Sequence, residues 1–334
     1  MDKILITFST VISSVITWLI VPKIRDIGLR FNLIDMPEKR KQHRVPIVRL
    51  GGIAIFLGFV ISYIVLIGLG NNYLSYPLLD KRMQVMLVGA SLFFILGLTD
   101  DLLNLSAFKR LICQFSIASF IVSQGFIFKS INLSIFNQYI PPLTLSYEIG
   151  FLLTLFWIVA ITNAINWIDG LDGLAAGISI ITSLGFFIVG IINHDLYSCS
   201  LSGIVIGSCI GFLKYNKYPS IIVMGDGGSY FLGFIISLLG IIFNYSSNEE
   251  YNSTLFTGTI FFILLFVGDM VFVILRRIIL NKSPFFPDRN HLHHRLLSLG
   301  FSHSNTVYLM YLMNLILVII GIIISIKSSN LLFK

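Results

Sequence analysis

The chain alternates long apolar runs with short polar islands. Ten runs read as membrane-spanning helices, at about residues 4–21, 51–70, 83–99, 110–128, 149–166, 174–193, 197–213, 230–245, 254–279 and 305–327, because a helix crosses the hydrocarbon core in roughly 20 residues. The Ile and Leu runs lack the polar alternation of an outer-membrane barrel. The first run follows Lys3 but carries no small-x-small cleavage pattern, and Trp18 and Pro22 at its end suit an interfacial anchor. It therefore reads as a helix rather than a signal peptide. No internal repeat, low-complexity linker or soluble domain interrupts the pattern, so residues 1–334 are expected to form one all-α polytopic membrane domain.

Composition supports this reading. Hydrophobic residues make up 56% of the chain and charged residues 12%, with a mean hydropathy of +0.89, whereas soluble domains are about 25% charged. A net charge of +7 would suggest nucleic acid in a soluble protein. Here it indicates basic loops facing anionic headgroups, with no nucleic-acid partner. The stretches 22–50, 100–110, 166–173, 214–229 and 276–304 hold 17 of the 23 Lys and Arg residues. The positive-inside rule makes them cytoplasmic and puts both termini outside. The segment 129–148, with Pro141-Pro142, reads as an exterior hairpin or a partly inserted piece. Cys113, Cys199 and Cys209 lie in apolar runs without CxxC spacing and read as small buried hydrophobes.

Ionisable groups beside apolar spans are costly, and they usually have work to do. In this chain they collect on the side assigned as cytoplasmic. Thr99-Asp100-Asp101, with Asn104, Ser106 and Lys109, joins spans three and four. Adjacent helical residues project about 100° apart, so the two carboxylates have different tasks, helix capping being one. The stretch Asn163-Ala-Ile-Asn166-Trp-Ile-Asp169-Gly-Leu-Asp172-Gly173 repeats amides and carboxylates every third residue. It is oxygen-rich, as a hard divalent cation or a phosphate site requires. Gly225-Asp226-Gly-Gly-Ser229 opens span eight. A helix start favours anions, and Asp226 there would repel a bare phosphate unless a cation lay between them.

The loop 276–304 gathers Arg276, Arg277, Lys282, Arg289, His291, His293, His294 and Arg295. No cysteine or carboxylate stands beside these histidines at zinc-ligand spacing. Arginines and histidines together suit phosphate recognition better. The basic loop 37–52 is explained equally well by membrane-surface charge. Asp269, inside an apolar run, reads as the partner of a nearby basic group.

Taken in order, these pieces resemble the polyprenyl-phosphate N-acetylhexosamine-1-phosphate transferases. The resemblance runs from about residue 35 to 312. It comprises Asp-x-Pro-x-x-Arg-Lys-x-His ending in Gly-Gly (Asp35 to Gly52), the pair Asp100-Asp101, Asn-Ala-x-Asn-x-x-Asp-Gly-Leu-Asp-Gly (163–173), Gly-Asp-x-Gly-Ser (225–229) and Ser-Pro-Phe-x-x-Asp-Arg-x-His-x-His-His (283–294). The run His291-Leu-His293-His294-Arg295 is similar to the enterobacterial-antigen and teichoic-acid initiating branch, not to the phospho-MurNAc-pentapeptide branch. The pattern departs from the family at Arg49, where a small residue is expected.

The resemblance implies a bacterial inner-membrane enzyme that uses UDP-GlcNAc, undecaprenyl or another polyprenyl phosphate, and Mg²⁺ or Mn²⁺. It implies Asp226 and Asn166 as metal ligands and Asp100 as base or acceptor-positioning group, with Asp101 supporting the metal or Asp100. Lys109 is expected at the lipid phosphate. Asp169 and Asp172 are expected to orient the nucleotide or a water on the metal. Arg289, His291, His293 and His294 are expected at the donor's phosphates and sugar, with Asn163 lining the substrate site. Nothing in the pattern specifies or excludes a homodimer. The rivals are a sibling transferase with another UDP-HexNAc or UDP-MurNAc-pentapeptide, and an ion-coupled transporter, which would instead place acids at the midplane of inverted repeats.

Overall fold

The computed structural model describes residues 2–35, 46–70, 81–131, 143–245, 255–283 and 290–331. Its helices are α1 (Asp2–Arg30), α2 (Gly51–Gly70), α3 (Lys81–Leu103), α4 (Ala107–Ser123), α5 (Tyr147–Ile168), α6 (Leu174–Ile192), α7 (Leu196–Asn216), α8 (Gly225–Tyr245), α9 (Leu255–Ile279), α10 (Leu292–Ser298) and α11 (His303–Leu331). Each of the ten apolar runs is helical over most of its length. Among the described residues nine helices are long and apolar enough to cross a membrane, whereas α4 has 17 residues and carries Lys109 and Arg110 in its first turn. The chain is an all-α, multi-pass membrane protein.

One boundary needs correction. The first helix does not end near residue 21 but continues through Pro22 to Arg30. Pro22 forfeits one backbone hydrogen bond, yet the extension has an apolar side to bury. Ile24 is buried, and Gly28 lies so close to Val48 that a Cβ there would overlap the valine side chain.

Helix α8 is the bundle's axis. Beyond its polar first turn it is almost wholly apolar, and its residues from Gly225 to Phe243 are buried, as a helix without a long polar face must be. Helices α2, α3 and α5 pack around it. Phe93 stacks on Phe234 with ring centroids 4.8 Å apart, and Phe56 stacks on Phe94 at 4.1 Å. Large apolar side chains such as Ile4, Phe8, Ile64, Phe156 and Tyr308 remain exposed on the outer helices, which suits a lipid-facing surface.

Two short ladders shape the connections. Strands β1 (Ile34–Asp35) and β2 (Ile47–Val48) pair antiparallel ahead of α2, and β3 (Ser130–Ile131) pairs with β4 (Leu143–Thr144). The second ladder closes the base of the expected 129–148 hairpin; Pro141-Pro142 lie outside the described residues. Val48 also forms a parallel bridge to Ile222. Val223 N–H donates to Val48 O at 3.0 Å, Gly51 N–H to Val223 O at 2.9 Å, and Gly52 N–H to Met224 O at 2.8 Å. The segments leading into α2 and α8 thus run side by side, and this places Arg49 beside Asp226.

Candidate active site

The site assembles where α3 ends and α8 begins. Gly225, with φ +75°, makes the left-handed turn into α8, a conformation glycine adopts without penalty. The first N–H groups of α8 need acceptors. Asp101 supplies them: Oδ1 accepts from Asp226 N–H and Oδ2 from Gly227 N–H, both at 2.9 Å. This cap comes from another helix rather than from the residue preceding α8.

Asp100, the other half of the pair, turns elsewhere. Its Oδ1 accepts from Leu105 N–H at 2.8 Å, closing the turn after α3. Its Oδ2 meets Arg110 Nη1 at 2.7 Å. Arg110 Nη1 also lies 3.9 Å from Asp226 Oδ2. Asp226 Oδ1 receives Arg49 Nη2 at 2.8 Å and Asn166 Nδ2 at 2.8 Å, while Arg49 Nε lies 2.9 Å from Asp101 Oδ1. Asn166 Nδ2 further donates to Ser229 Oγ at 3.0 Å. Three carboxylates and two guanidinium groups therefore form one network. Their sequence separations, Arg49 to Asp226 being the widest, show that the scattered polar islands share one end of the bundle.

This donor set fits a hard dication that retains waters. Such an ion takes one or two carboxylates and completes its shell with substrate phosphates and water. Arg110 Nη1 stands between the Asp100 and Asp226 carboxylates, 2.7 Å from one and 3.9 Å from the other, and carboxylates gathered at one site need positive charge among them. Among the described residues no group of three or more His, Cys, Asp or Glu side chains is placed to hold a metal ion by itself, so an ion here would rely on Asp226, the Asn166 amide, substrate phosphates and water.

The second acidic stretch divides. Asn166 joins the network, but Asn163 pairs with Gln114 of α4: its Nδ2 donates to Gln114 Oε1 at 2.6 Å and to Val159 O at 2.8 Å. Asp169, half-buried after α5, has its carboxyl pushed up to about 7, chiefly by burial. Nearby Arg49 opposes that rise, whereas Asp226, Asp101 and Asp172 add to it. Asp172 faces another direction, accepting from Ser220 Oγ at 2.8 Å and Ser220 N–H at 3.1 Å, while its own N–H donates to His303 Nε2 at 3.3 Å. It fastens the α5–α6 loop to α11 and borders a cavity of about 200 Å³ lined by Lys217, Tyr218, His303 and Tyr311.

The histidine segment is anchored by Asp269. Its Oδ1 accepts from Leu292 N–H at 2.7 Å, and its Oδ2 lies 2.8 Å from His291 Nδ1. This buried acid pairs with a histidine and starts α10, rather than meeting Arg276 or Arg277. His293 is buried against Gly170, where an added Cβ would overlap its Nε2, and among the described residues its Nδ1 has no hydrogen-bond partner. Burial, with His294 and His291 adding like charge, holds the His293 imidazole well below the usual histidine range and therefore neutral. His291 and His293 stack with centroids 5.8 Å apart, and the His293 and His294 rings meet tilted with centroids 4.3 Å apart. Arg277 lies over Trp167 at 5.1 Å, and Trp167 meets His291 edge-on at 5.4 Å. The segment thus docks on the α5–α6 loop. Arg289 lies outside the described residues. The side chain of Lys109 is exposed, and its neighbour Arg110 is the cation that faces the carboxylates.

The described structure thus brings Asp100, Asp101, Asn166 and Asp226 together and sets His291, His293 and His294 on the adjoining loop. Arg49 and Arg110 complete the network although the sequence reading assigned neither a role. Arg110 sits next to a residue that was singled out, and one helical step separates an exposed side chain from an inward one.

Known proteins resemble this chain over most of its length. Residues 83–244 match the model of glycosyl transferase family 4. A Bacillus subtilis protein named "probable undecaprenyl-phosphate N-acetylglucosaminyl 1-phosphate transferase" is 38% identical over 337 residues, covering 99% of this chain and 87% of the relative. A decaprenyl-phosphate N-acetylglucosaminephosphotransferase of Mycobacterium leprae is 32% identical, covering 90% of this chain and 79% of the relative. A phospho-N-acetylmuramoyl-pentapeptide-transferase of Caldicellulosiruptor bescii is 30% identical over 71% of this chain and 76% of its own. The chain belongs to glycosyl transferase family 4, the membrane-embedded sugar-phosphate transferases.

Proposed function

We propose that the protein transfers GlcNAc-1-phosphate from UDP-GlcNAc to undecaprenyl or another polyprenyl phosphate, giving polyprenyl-diphospho-GlcNAc and UMP. The observation that carries this reading is the meeting of Asp100, Asp101 and Asp226 with Arg49 and Arg110 at one end of an apolar bundle. On this reading a lipid phosphate reaches that end from the bilayer and a sugar nucleotide reaches it from water. The names of the Bacillus and Mycobacterium relatives support the sugar and the lipid class. The Lys and Arg bias of the loops supports a cytoplasmic site in the bacterial inner membrane.

In the reaction an oxygen of the lipid phosphate bonds to the donor's β-phosphorus. The bond between that phosphorus and the bridging oxygen breaks, and UMP leaves. Both reactants are anions, so neutralisation and positioning dominate the barrier. Arg110, fixed by Asp100, offers positive charge where the acceptor phosphate approaches. Asp100 positions that phosphate, whose second pKa near 6 leaves little proton to remove at neutral pH. Mg²⁺ or Mn²⁺, held by Asp226 with Asn166, would neutralise the donor diphosphate. His291, oriented by Asp269, and His293 and His294 offer ring nitrogens to the donor's phosphates and sugar. Asp169 faces the same space from the α5–α6 loop and orients the nucleotide.

The test is a donor panel. Purified protein is given polyprenyl phosphate with UDP-GlcNAc, UDP-GalNAc or UDP-MurNAc-pentapeptide, with and without EDTA. UDP-GlcNAc is expected to be turned over and EDTA to stop it. Turnover of UDP-MurNAc-pentapeptide alone would replace this reading with the sibling activity.

A further inference from the structure

Arg49 does not present an open guanidinium to an incoming phosphate. Its Nε lies 2.9 Å from Asp101 Oδ1 and its Nη2 lies 2.8 Å from Asp226 Oδ1. It therefore neutralises the cap of α8 and the residue assigned above to the divalent cation. Its side chain is 35% exposed, against 3% for Asp101 and 12% for Asp226, so Arg49 is the member of this trio with a path to water. Its backbone is fixed on both sides, by the bond from Val223 N–H to Val48 O and the bond from Gly51 N–H to Val223 O. The guanidinium can swing outward while the chain beneath it stays in place. Arg110 is differently placed, committed to Asp100 at 2.7 Å and 3.9 Å from Asp226.

We propose that Arg49 is a resident counter-charge that occupies the divalent-cation site until the ion arrives, and so sets the affinity of that site. The inference rests on the assignment of Asp226 to the cation. Without the ion, Arg49 offsets the mutual repulsion of Asp101 and Asp226 and joins the lead-in of α2 to α3 and α8. When the ion binds, it competes with Arg49 for Asp226, and the lost ion pair is subtracted from its binding free energy. Arg49 is a positioning residue with two effects of opposite sign, stabilising the cation-free protein and weakening cation binding. A purely structural arginine would favour both.

Mn²⁺ binding to the full-length purified protein, measured by electron paramagnetic resonance without substrates, separates these cases. Thermal unfolding with and without Mn²⁺ accompanies it. Arg49→Met is expected to unfold at a lower temperature than wild type without the ion, yet to bind Mn²⁺ more tightly by on the order of tenfold. Arg49→Lys, which retains a charge but cannot bridge two carboxylates, is expected to fall between. Asp226→Asn is expected to lose binding. Unchanged or weaker Mn²⁺ binding in Arg49→Met, with wild type binding and Asp226→Asn not, overturns the role of Arg49 and leaves Asp226 standing. Should Arg49→Met fail to fold, Arg49→Lys decides, and an affinity equal to wild type overturns the proposal. Wild-type binding retained in Asp226→Asn, or absent from wild type, removes the Asp226 assignment and this inference with it.

Discussion

Asp101 caps a helix to which it does not belong: its two carboxylate oxygens accept the backbone N–H groups of Asp226 and Gly227, each at 2.9 Å. The acidic pair is thus split in function by geometry. Asp101 holds the start of α8 in place, and Asp100 is left to face Arg110. Asp101→Ala leaves two helix-start donors without their acceptor and removes one partner of Arg49. A loss of about 2 kcal/mol or more is expected, seen as a lower unfolding temperature in detergent. Asp101→Asn, which keeps one acceptor oxygen, is expected to lose less. An Asp101→Ala protein as stable as wild type would contradict the capping role.

Arg110, not Lys109, is the cation aimed at the carboxylates. Arg110→Ala removes a charge from where the acceptor phosphate approaches and strands buried Asp100. A fall in kcat/KM of roughly 100-fold or more is expected, in line with the loss of one preorganised charge-stabilising group. Lys109→Ala, at an exposed side chain, is expected to cost less than about tenfold. Steady-state kinetics with varied polyprenyl phosphate compares the two, and a larger loss from Lys109→Ala would reverse the assignment.

Gly170 is the floor on which His293 rests. A methyl group at Gly170 overlaps His293 Nε2, and the imidazole must move. Gly170→Ala is expected to raise the donor KM several-fold while the lipid KM changes little. His293→Ala should show the same donor-side defect, and the double variant should be little worse than either single one, because both act on one contact. Additive losses would mean that the two residues act separately.

Burial pushes Asp169 up to about 7 and His293 well below its usual range, and the two make opposite contributions to stability against pH. Between about pH 4 and 7 the folded protein keeps a proton on Asp169 that the unfolded chain releases, so Asp169 destabilises increasingly as pH rises through that window. Below about pH 6.5 the unfolded chain protonates the histidine and the folded protein does not, so the His293 contribution weakens stability as pH falls. Asp169→Asn should therefore gain stability relative to wild type from pH 4 to 7 and hold that gain above it. A difference in unfolding temperature that is flat across this range would contradict the shift.

Much of this architecture is legible in the hydrophobic pattern. Among the described residues the ten apolar runs are helical, nine of them long and apolar enough to cross a membrane and α4 too short, because a bilayer leaves the backbone no other means of satisfying its polar groups. The limits of the pattern lie where tertiary contact decides. Pro22 reads as an ending, but burial of Ile24 and the fit of Gly28 against Val48 carry α1 on to Arg30. Asp100, Asp226 and Asn166 stand out in the sequence as candidate site residues because carboxylates and amides at the ends of apolar spans are expensive. Their division of labour was not, since it depends on which helix end each one faces. Asn163 shares the period of Asn166 and Asp169, yet it meets Gln114 across the α4–α5 contact, a pairing that no local spacing encodes. Asp269 carried a usable signal, an acid within an apolar run, but its partner His291 is 22 residues away.

On the proposed function, the site moves a phosphosugar, not a bare sugar, onto a lipid phosphate. Purified protein supplied with polyprenyl phosphate and UDP-GlcNAc labelled with ³²P at the β-phosphate tests it most directly. The account predicts that the label enters the lipid fraction and that unlabelled UMP is released in equal amount. Label remaining in UDP while GlcNAc appears on the lipid, or no lipid product at all, would contradict it.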